Sequence, residues 1–174
     1  MGRMPYQIHV FPYRKTNGGW EFAIFQRSDL PDIWQGISGG GEAGESIIQS
    51  ALRECREEGG IMEPGPLYAL DSISDMRSTV FAEWTKAWGP DVVVLPMYFF
   101  GMPYDGEITL SEEHLALRWL PYKQADAIVS MPDQNTALWE LHERLKRGNL
   151  KRGIPAWMQR PWKAGLYHII GSEI

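Results

Sequence analysis

Two apolar stretches near the start of the chain, residues 5–13 and 20–26, flank a Thr-Asn-Gly-Gly sequence at 16–19. Asn-Gly adopts positive backbone φ angles at little cost, so this pattern predicts a β-hairpin. Residues 36–44 then include five glycines. We expect an irregular loop there, because glycine disfavours regular structure, and such a loop lets backbone amides approach a ligand closely.

The apolar pattern changes to a helical period over residues 45–58. Its apolar residues recur at i, i+3, i+4 and i+7, and they are Ile48, Ala51, Leu52 and Cys55. This spacing places them along one face of an α-helix, which we expect to end at Gly59 and Gly60. A second long helix is predicted over 132–147, after a short helix over 121–129.

Further strands are predicted over 67–82, where a loop interrupts the pattern, and over 91–101 and 115–120. The segment 91–101 is almost continuously apolar, which is typical of a buried strand. Strands therefore precede most of the helices, and the helices are expected to pack on the sheet. The sheet is predicted to be mixed or largely antiparallel, and the fold class to be α+β or a three-layer α/β/α sandwich.

Composition and charge restrict the classes of function. A length of 174 residues suits a single domain over 1–174. A net charge of −5 argues against nucleic acid as a partner, since binding phosphates along a strand needs a basic surface. The longest apolar run, 92–103, is shorter than the ~20 residues of a membrane-spanning helix, so no membrane partner is expected. The only cysteine, Cys55, cannot form an internal disulfide, which favours the cytoplasm.

Three acidic residues of the predicted helix, Glu54, Glu57 and Glu58, lie within one sector of about 100° around the helix axis. Like charges this close raise one another's pKa unless a cation lies among them or they turn towards water. Hard oxygen ligands favour Mg²⁺, with Mn²⁺ as a substitute. Together with phosphate-binding amides of the glycine segment, they predict a metal–polyphosphate site. The alternative is that the glutamates form only the solvated face of an amphipathic helix.

The spacing of these residues resembles the signature of Nudix hydrolases. That signature is Gly-x5-Glu-x7-Arg-Glu-U-x-Glu-Glu-x-Gly-U, where U is a bulky apolar residue. The chain matches its fixed positions with Gly39, Glu45, Arg53, Glu54, Glu57, Glu58 and Gly60. Cys55 occupies one U position, where a buried thiol serves as a small apolar side chain. The resemblance implies the Nudix fold, a mixed sheet between helices, and hydrolysis of a nucleoside diphosphate linked to another group.

The resemblance also implies roles for individual residues. Glu54, Glu57 and Glu58 correspond to ligands of a divalent metal and belong to the catalytic set. Arg53, also in that set, corresponds with Glu45 to a pair that braces the loop against the helix. The metal would polarise phosphoryl oxygens and activate a water molecule that attacks phosphorus. Glu54 is our candidate for the base that takes the proton of this water.

The segments on either side of the signature, residues 25–39 and 111–120, are similar to those of bacterial dihydroneopterin triphosphate pyrophosphatases. In that subgroup, a glutamate directly before a histidine supplies a further metal ligand. This position corresponds to Glu113, which precedes His114. The resemblance therefore adds a fourth carboxylate, contributed by a distant part of the chain, to the predicted metal site.

Five residues near the signature are candidates for substrate binding, and they are Arg27, Trp34, Gln35, Gly39 and Gly40. Arg27 suits a phosphate contact, because a guanidinium group donates paired hydrogen bonds to phosphate oxygens. The alternative for Arg27 is a surface ion pair with Asp29 or Asp32. Trp34 can stack on a purine or pterin ring, or it can anchor the core or a loop.

Residues 148–174 form a C-terminal extension that is basic and rich in aromatic residues. We expect this extension to pack on the domain, because tryptophans are costly to leave in water. It would then contribute a wall of the substrate site or support a homodimer contact.

The substrate class follows from the subgroup resemblance. We expect a small-molecule nucleoside or pterin triphosphate, such as dihydroneopterin triphosphate or a purine nucleotide, cleaved to a monophosphate and pyrophosphate. Other linked nucleoside diphosphates are alternatives, namely an NDP-sugar, a dinucleotide or an oxidised nucleotide. A catalytically silent ligand sensor is the alternative from a different class, and loss of a signature carboxylate would mark it; the chain retains all three in the helix.

Overall fold

The described part of this computed structural model, residues 2–150 and 153–163, contains seven β-strands and four α-helices. In chain order they are β1 (Arg3–Thr16), β2 (Gly19–Arg27), β3 (Trp34–Gln35), β4 (Ile37–Glu42), α1 (Ile47–Glu57), β5 (Tyr68–Arg77), α2 (Ala82–Trp88), β6 (Val94–Pro103), β7 (His114–Pro121), α3 (Tyr122–Ile128) and α4 (Pro132–Arg147). The predicted hairpin, the first helix and both later helices are all present.

The strands form one mixed sheet around β1. β1 and β2 pair as an antiparallel hairpin near their connecting turn and then diverge. Residues 34–42 lie between the diverging strands, where β3 pairs with β2 and β4 pairs with β1. β6 runs parallel to β1 along its other edge, β5 is antiparallel to β6, and β7 is antiparallel to β2. The chain therefore changes strand partner between β3 and β4, beside the start of α1.

The glycine-rich segment is largely a strand, so the expected irregular loop over 36–44 is wrong for β4. Gly39 pairs with Ile8 and Gly40 pairs with Gln7. A Cβ atom on Gly41 would lie 2.0 Å from Cζ of Tyr6, so glycine lets a core ring lie against the strand. Pairing with β1 supplies the order that the local sequence does not favour.

Helices cover both faces of the sheet. α1 packs on the face that carries Tyr6, Ile8 and Val10, and α4 packs on the opposite face, which carries Phe11 and Tyr13. The predicted fold class, a mixed sheet between helices, is confirmed. The short helix α2 was not predicted; it lies beyond the end of β5, next to the start of β1. Among the described helices, none is both long and apolar enough to cross a membrane.

Residues 153–163 of the C-terminal extension lie against α1. The Trp162 ring is buried beside the Tyr6 ring, with centroids 5.0 Å apart, and the Trp162 amide donates to the carbonyl of Glu45 at 3.0 Å. Pro161 forms a β-bridge with Ser46. The remainder of the extension, residues 151–152 and 164–174, lies outside the described residues, so its predicted roles in a substrate wall or a dimer stay predictions.

Candidate active site

The start of α1 is fixed by side chains of the signature. Ser46 caps the helix and forms a reciprocal capping box with Gln49. The Glu45 carboxylate accepts hydrogen bonds from the Ser50 hydroxyl at 2.7 Å and from the backbone amide of Glu42 at 3.0 Å. These contacts join the end of β4 to the first turn of α1.

Arg53 connects the glycine strand to this helix. Its Nε donates to Glu45 at 2.9 Å, its Nη2 donates to the carbonyl oxygen of Gly40 at 2.8 Å, and its Nη1 donates to Glu54 at 2.7 Å. The structure thus brings together Arg53 and Glu45, the pair that the resemblance implies. Because Arg53 uses all its nitrogens on protein groups, it positions Glu54 and β4.

Glu54 is buried, with only 5% of its surface exposed, and it lies directly against Gly39. A Cβ atom at Gly39 would be 2.0 Å from Cδ of Glu54, so the absence of a side chain makes the space for this carboxylate. Burial raises the pKa of Glu54, and the neighbouring Arg53 guanidinium opposes that rise. A buried carboxylate with a raised pKa is suited to accept a proton near neutral pH.

Glu58 and Glu113 come together from distant parts of the chain. The segment before β7 is held to the end of α1, since the carbonyl of Glu58 accepts from the Ser111 hydroxyl at 3.0 Å and lies 3.0 Å from Nδ1 of His114. Burial raises the pKa of Glu58 well above its usual range, and the charges of Glu54 and Glu113 raise it further. The Glu58 carboxyl group thus faces that of Glu113, and the two repel each other when both are ionised.

Glu57 does not join these carboxylates. Its side chain is 62% exposed and contacts Nη1 of Arg53 at 3.1 Å. In the described residues, no group of three or more His, Cys, Asp and Glu side chains is close enough to hold a metal ion. The donor chemistry still fits a hard divalent cation, because the acids of this site supply only oxygen ligands and a cation would offset their mutual repulsion.

Arg27 makes the ion pair that we considered as its alternative role. Its Nε and Nη2 donate to the two Asp29 carboxylate oxygens at 2.8 and 2.6 Å. Arg27 nevertheless faces the acidic group, since the charges of Glu58 and Glu113 act on it. A phosphate contact through the paired nitrogens would have to displace Asp29.

Trp34 and Gln35 differ in their surroundings. The Arg118 guanidinium lies over the Trp34 ring, 4.6 Å from its centroid, and the Trp34 backbone exchanges hydrogen bonds with Ser130. Trp34 therefore anchors β3 to the end of α3, and one ring face is already covered. Gln35 is buried, and its Nε2 donates to the Ser38 hydroxyl at 2.9 Å.

Arg3, Gln7 and His9 lie on one face of β1, and we call these three polar residues the β1 strip. They were not identified from the sequence. The Arg3 guanidinium lies over the Phe81 ring, 4.3 Å from its centroid, and a Cβ at Gly40 would be 2.7 Å from its Cζ. Burial lowers the pKa of Arg3, while the charge of Glu54 opposes the shift. With its amide oriented to suit its neighbours, Gln7 donates to the carbonyl of Gly39 and accepts from Arg3. The sequence did contain one indication of this face, because Gln7 and His9 are polar residues at alternating positions of an otherwise apolar strand.

The sequence of this chain is similar to those of known hydrolases. The NUDIX domain family matches residues 6–144. The asymmetrical bis(5′-nucleosyl)-tetraphosphatase of Sus scrofa is 34% identical over 131 residues, which cover 74% of this chain and 83% of that protein. Dihydroneopterin triphosphate diphosphatase of Escherichia coli K12 is 32% identical over 108 residues, which cover 60% of this chain and 71% of that protein.

A solved structure agrees over a longer span. A Nudix hydrolase from Listeria monocytogenes is 33% identical with a TM-score of 0.74, and the match covers 86% of this chain and all of that one. The E. coli dihydroneopterin triphosphate pyrophosphohydrolase structure has a TM-score of 0.67 at 24% identity, over 83% of this chain and 99% of that one, and it shows the shared fold. Sequence and structure therefore agree on one family.

Proposed function

Because the chain belongs to the Nudix hydrolase family, we propose that it is a Mg²⁺-dependent pyrophosphohydrolase that cleaves a nucleoside or pterin triphosphate. The observation that carries this proposal is the meeting of the half-buried Glu58 with the exposed Glu113 beside the buried Glu54, at the edge of a glycine strand that Arg53 holds in place. Burying Glu54 and part of Glu58 beside a further carboxyl group is costly unless the site binds a cation.

Glu54, Glu58 and Glu113 would hold the metal, together with Glu57 once it leaves Arg53. Nudix hydrolases generally use a divalent metal such as Mg²⁺, and Mn²⁺ has the same preference for oxygen ligands. When bound, the ion supplies charge that stabilises phosphoryl oxygens and lowers the pKa of a water molecule.

The residues of the chain supply positioning and proton transfer. A water oxygen forms a new bond to phosphorus as the bridging P–O bond breaks, and the leaving pyrophosphate takes the electron pair of that bond. Glu54, which is buried and held by Arg53, accepts the proton of the water in this scheme. Gly39 leaves room for the Glu54 carboxylate, and Gly40 leaves room for the Arg3 guanidinium, a cation that would face the phosphate chain.

A second candidate substrate is a bis(5′-nucleosyl) tetraphosphate. It is favoured by the similarity to the Sus scrofa tetraphosphatase, which extends over a larger share of this chain than the similarity to the E. coli diphosphatase. The carboxylates can act on either substrate, because both contain the same phosphoric anhydride bond. The choice depends on the part of the site that contacts the rest of the molecule.

Product analysis tests this proposal. The purified chain is incubated with Mg²⁺ and dihydroneopterin triphosphate, each purine triphosphate or diadenosine tetraphosphate, and the products are separated by ion exchange. We expect pyrophosphate and a monophosphate from a triphosphate. Preferential cleavage of the tetraphosphate would support the second candidate, and no cleavage of any compound would support the ligand-sensor alternative.

A further inference from the structure

His9 is a buried polar side chain that the mechanism above does not use. Only 6% of its surface is exposed, and its Nδ1 has no hydrogen-bond partner among the described residues. Its ring stacks on Phe99, with centroids 5.1 Å apart and planes 20° from parallel. A buried ring nitrogen without a partner is costly, and a hydrogen bond from a bound ligand would offset that cost.

The position of His9 relates it to the proposed reaction site. On the β1 strip, Gln7 contacts the carbonyl of Gly39 beside Glu54, and His9 follows two residues later. Ile8, between Gln7 and His9, pairs with Gly39, so His9 lies one residue along β1 from the position opposite that glycine, on the side of Ser38. A substrate with its phosphates at the carboxylates therefore has the His9 side of β1 within its length, on the opposite side of Gly39 from Arg3.

The groups around His9 suit the heterocycle of the substrate rather than its phosphates. His9 pairs with Ser38 across the β1–β4 ladder, and Ser38 accepts from the buried Gln35 amide at 2.9 Å. Burial lowers the pKa of His9 to about 4, and the charge of Arg27 contributes to that shift, so the imidazole is neutral at physiological pH. A neutral imidazole offers one donor and one acceptor, as the edge of a nucleobase or pterin requires.

The β1 strip is therefore positively charged at Arg3 and neutral at His9. Arg3, at one end, is a guanidinium on which the charges of Glu54 and Glu58 act, and a phosphate group suits that end. His9, at the other end, is neutral and lies beside the Gln35–Ser38 pair. We infer that His9 contacts the edge of the substrate's heterocycle and determines which nucleobase or pterin the site accepts; this inference rests on the proposed function.

His9→Phe tests the inference, because it keeps an aromatic ring against Phe99 and removes both ring nitrogens. The matched control is His142→Phe. His142 also has a buried Nδ1 without a partner in the described part of the chain, and its ring stacks on Tyr122 with centroids 4.3 Å apart. Its other ring contact is Phe22, so it lies outside the proposed site.

The measurement is equilibrium binding in the presence of Mg²⁺, by titration calorimetry. The probes are AMP, GMP, CMP, UMP and dihydroneopterin monophosphate, with inorganic pyrophosphate as a probe that lacks a heterocycle. In His9→Phe, we expect the Kd of the tightest-binding monophosphate to rise about tenfold or more, while the Kd of pyrophosphate stays within about twofold. His142→Phe should bind all probes as the wild-type protein does.

Three results would overturn the inference: unchanged monophosphate binding in His9→Phe, an equal loss for pyrophosphate, or a wild-type protein that does not distinguish the five monophosphates. Should His9→Phe fail to fold, His9→Gln replaces it, since it moves the donor and acceptor but keeps them. A changed order of preference in that variant supports the inference, and an unchanged order overturns it. Because the assay measures binding, a chain that selects monophosphates yet hydrolyses nothing would refute only the proposed function.

Discussion

Among the described carboxyl groups, Glu58 has the surroundings that most strongly oppose a negative charge. It is half-buried among other acids, and both burial and the charges of Glu54 and Glu113 raise its pKa. In Glu58→Gln, we expect activity to fall about 100-fold or more, because electrostatic stabilisation is lost at nearly constant side-chain volume. The melting temperature of the metal-free protein should stay the same or rise, because the substitution removes carboxylate repulsion.

Glu63→Gln is the matched control for this variant. Glu63 is an exposed glutamate shortly after α1, so its substitution should leave both activity and melting temperature unchanged. Full activity of Glu58→Gln at limiting Mg²⁺ would refute the role that we propose for Glu58.

Two glycines should respond differently to the same substitution. In Gly39→Ala, the added methyl would lie 2.0 Å from Cδ of Glu54, so we expect this carboxylate to move and kcat/KM to fall about 100-fold. Gly60 has φ of +63°, and its added methyl would lie 1.7 Å from the carbonyl oxygen of Thr109. Gly60→Ala should therefore lower the unfolding free energy by roughly 2–4 kcal/mol. Steady-state kinetics and urea unfolding measure the two effects; full kcat/KM in Gly39→Ala would contradict the first.

At the scale of elements, Glu140 joins α4 to the edge strand β5. Its Oε1 accepts from the Asp71 amide at 2.7 Å, its Oε2 accepts from the Ser72 amide at 2.8 Å, and Nε of Arg144 donates to Oε1 at 2.7 Å. Burial acts to raise the pKa of Glu140, but the hydrogen bonds from Ser72, Asp71 and Arg144 outweigh burial and hold the pKa below its usual value. The ionised carboxylate therefore stabilises the contact between helix and strand.

Glu140→Gln should lower the unfolding free energy by about 2 kcal/mol at neutral pH, without changing kinetics. Because the folded pKa lies below the ordinary value of 4.5, this stabilisation is present above that pH and is lost as pH falls through the folded pKa. Urea unfolding at neutral pH and at about pH 3 should thus show a difference between wild type and variant that shrinks in acid. Glu143→Gln is the control on the same helix: among the described residues, Glu143 pairs only with the exposed Lys146 and Arg147, so its loss should change stability little. An equal difference at both pH values would contradict this account.

The sequence predicted those helices and strands whose buried residues form a regular apolar pattern along the chain. α4 has buried Ala137, Leu138, Leu141 and Leu145 along one face, and the spacing of these residues predicts it. α2 has no buried residue, so no apolar stripe marks it. β4 is ordered by its pairing with β1. The sequence of residues 36–44 alone gives no sign of that pairing.

At the scale of the whole molecule, the described part of the C-terminal extension is part of the core around α1. Trp162 is 8% exposed and joins the same apolar cluster as Tyr6 and Ile47. Trp162→Ala should lower the unfolding free energy by about 3 kcal/mol. Trp139→Ala is the control, since Trp139 is 51% exposed on α4; urea unfolding compares them. Equal stabilities of the two variants would contradict the packing role.

The sequence identified the residues of the candidate site that lie on α1, and the resemblance of a flanking segment added Glu113. The signature identified Glu54, Glu57 and Glu58, but not that Glu57 turns to Arg53 while Glu58 meets Glu113. Contacts with Arg53 and with the segment before β7 accompany these orientations, and the second of them joins parts of the chain that are distant in sequence. Arg3 and His9 were missed because strand pairing, rather than spacing along the chain, brings them beside β4.

The central claim is Mg²⁺-dependent cleavage of a nucleoside or pterin triphosphate. The most direct test compares kcat/KM with Mg²⁺ and with EDTA for dihydroneopterin triphosphate, purine triphosphates, diadenosine tetraphosphate and an NDP-sugar. We predict that a triphosphate is the best substrate, that pyrophosphate is released, and that EDTA abolishes the reaction. Undiminished turnover in EDTA, or a preference of more than about 100-fold for the NDP-sugar, roughly 2.7 kcal/mol of transition-state binding, would contradict the claim.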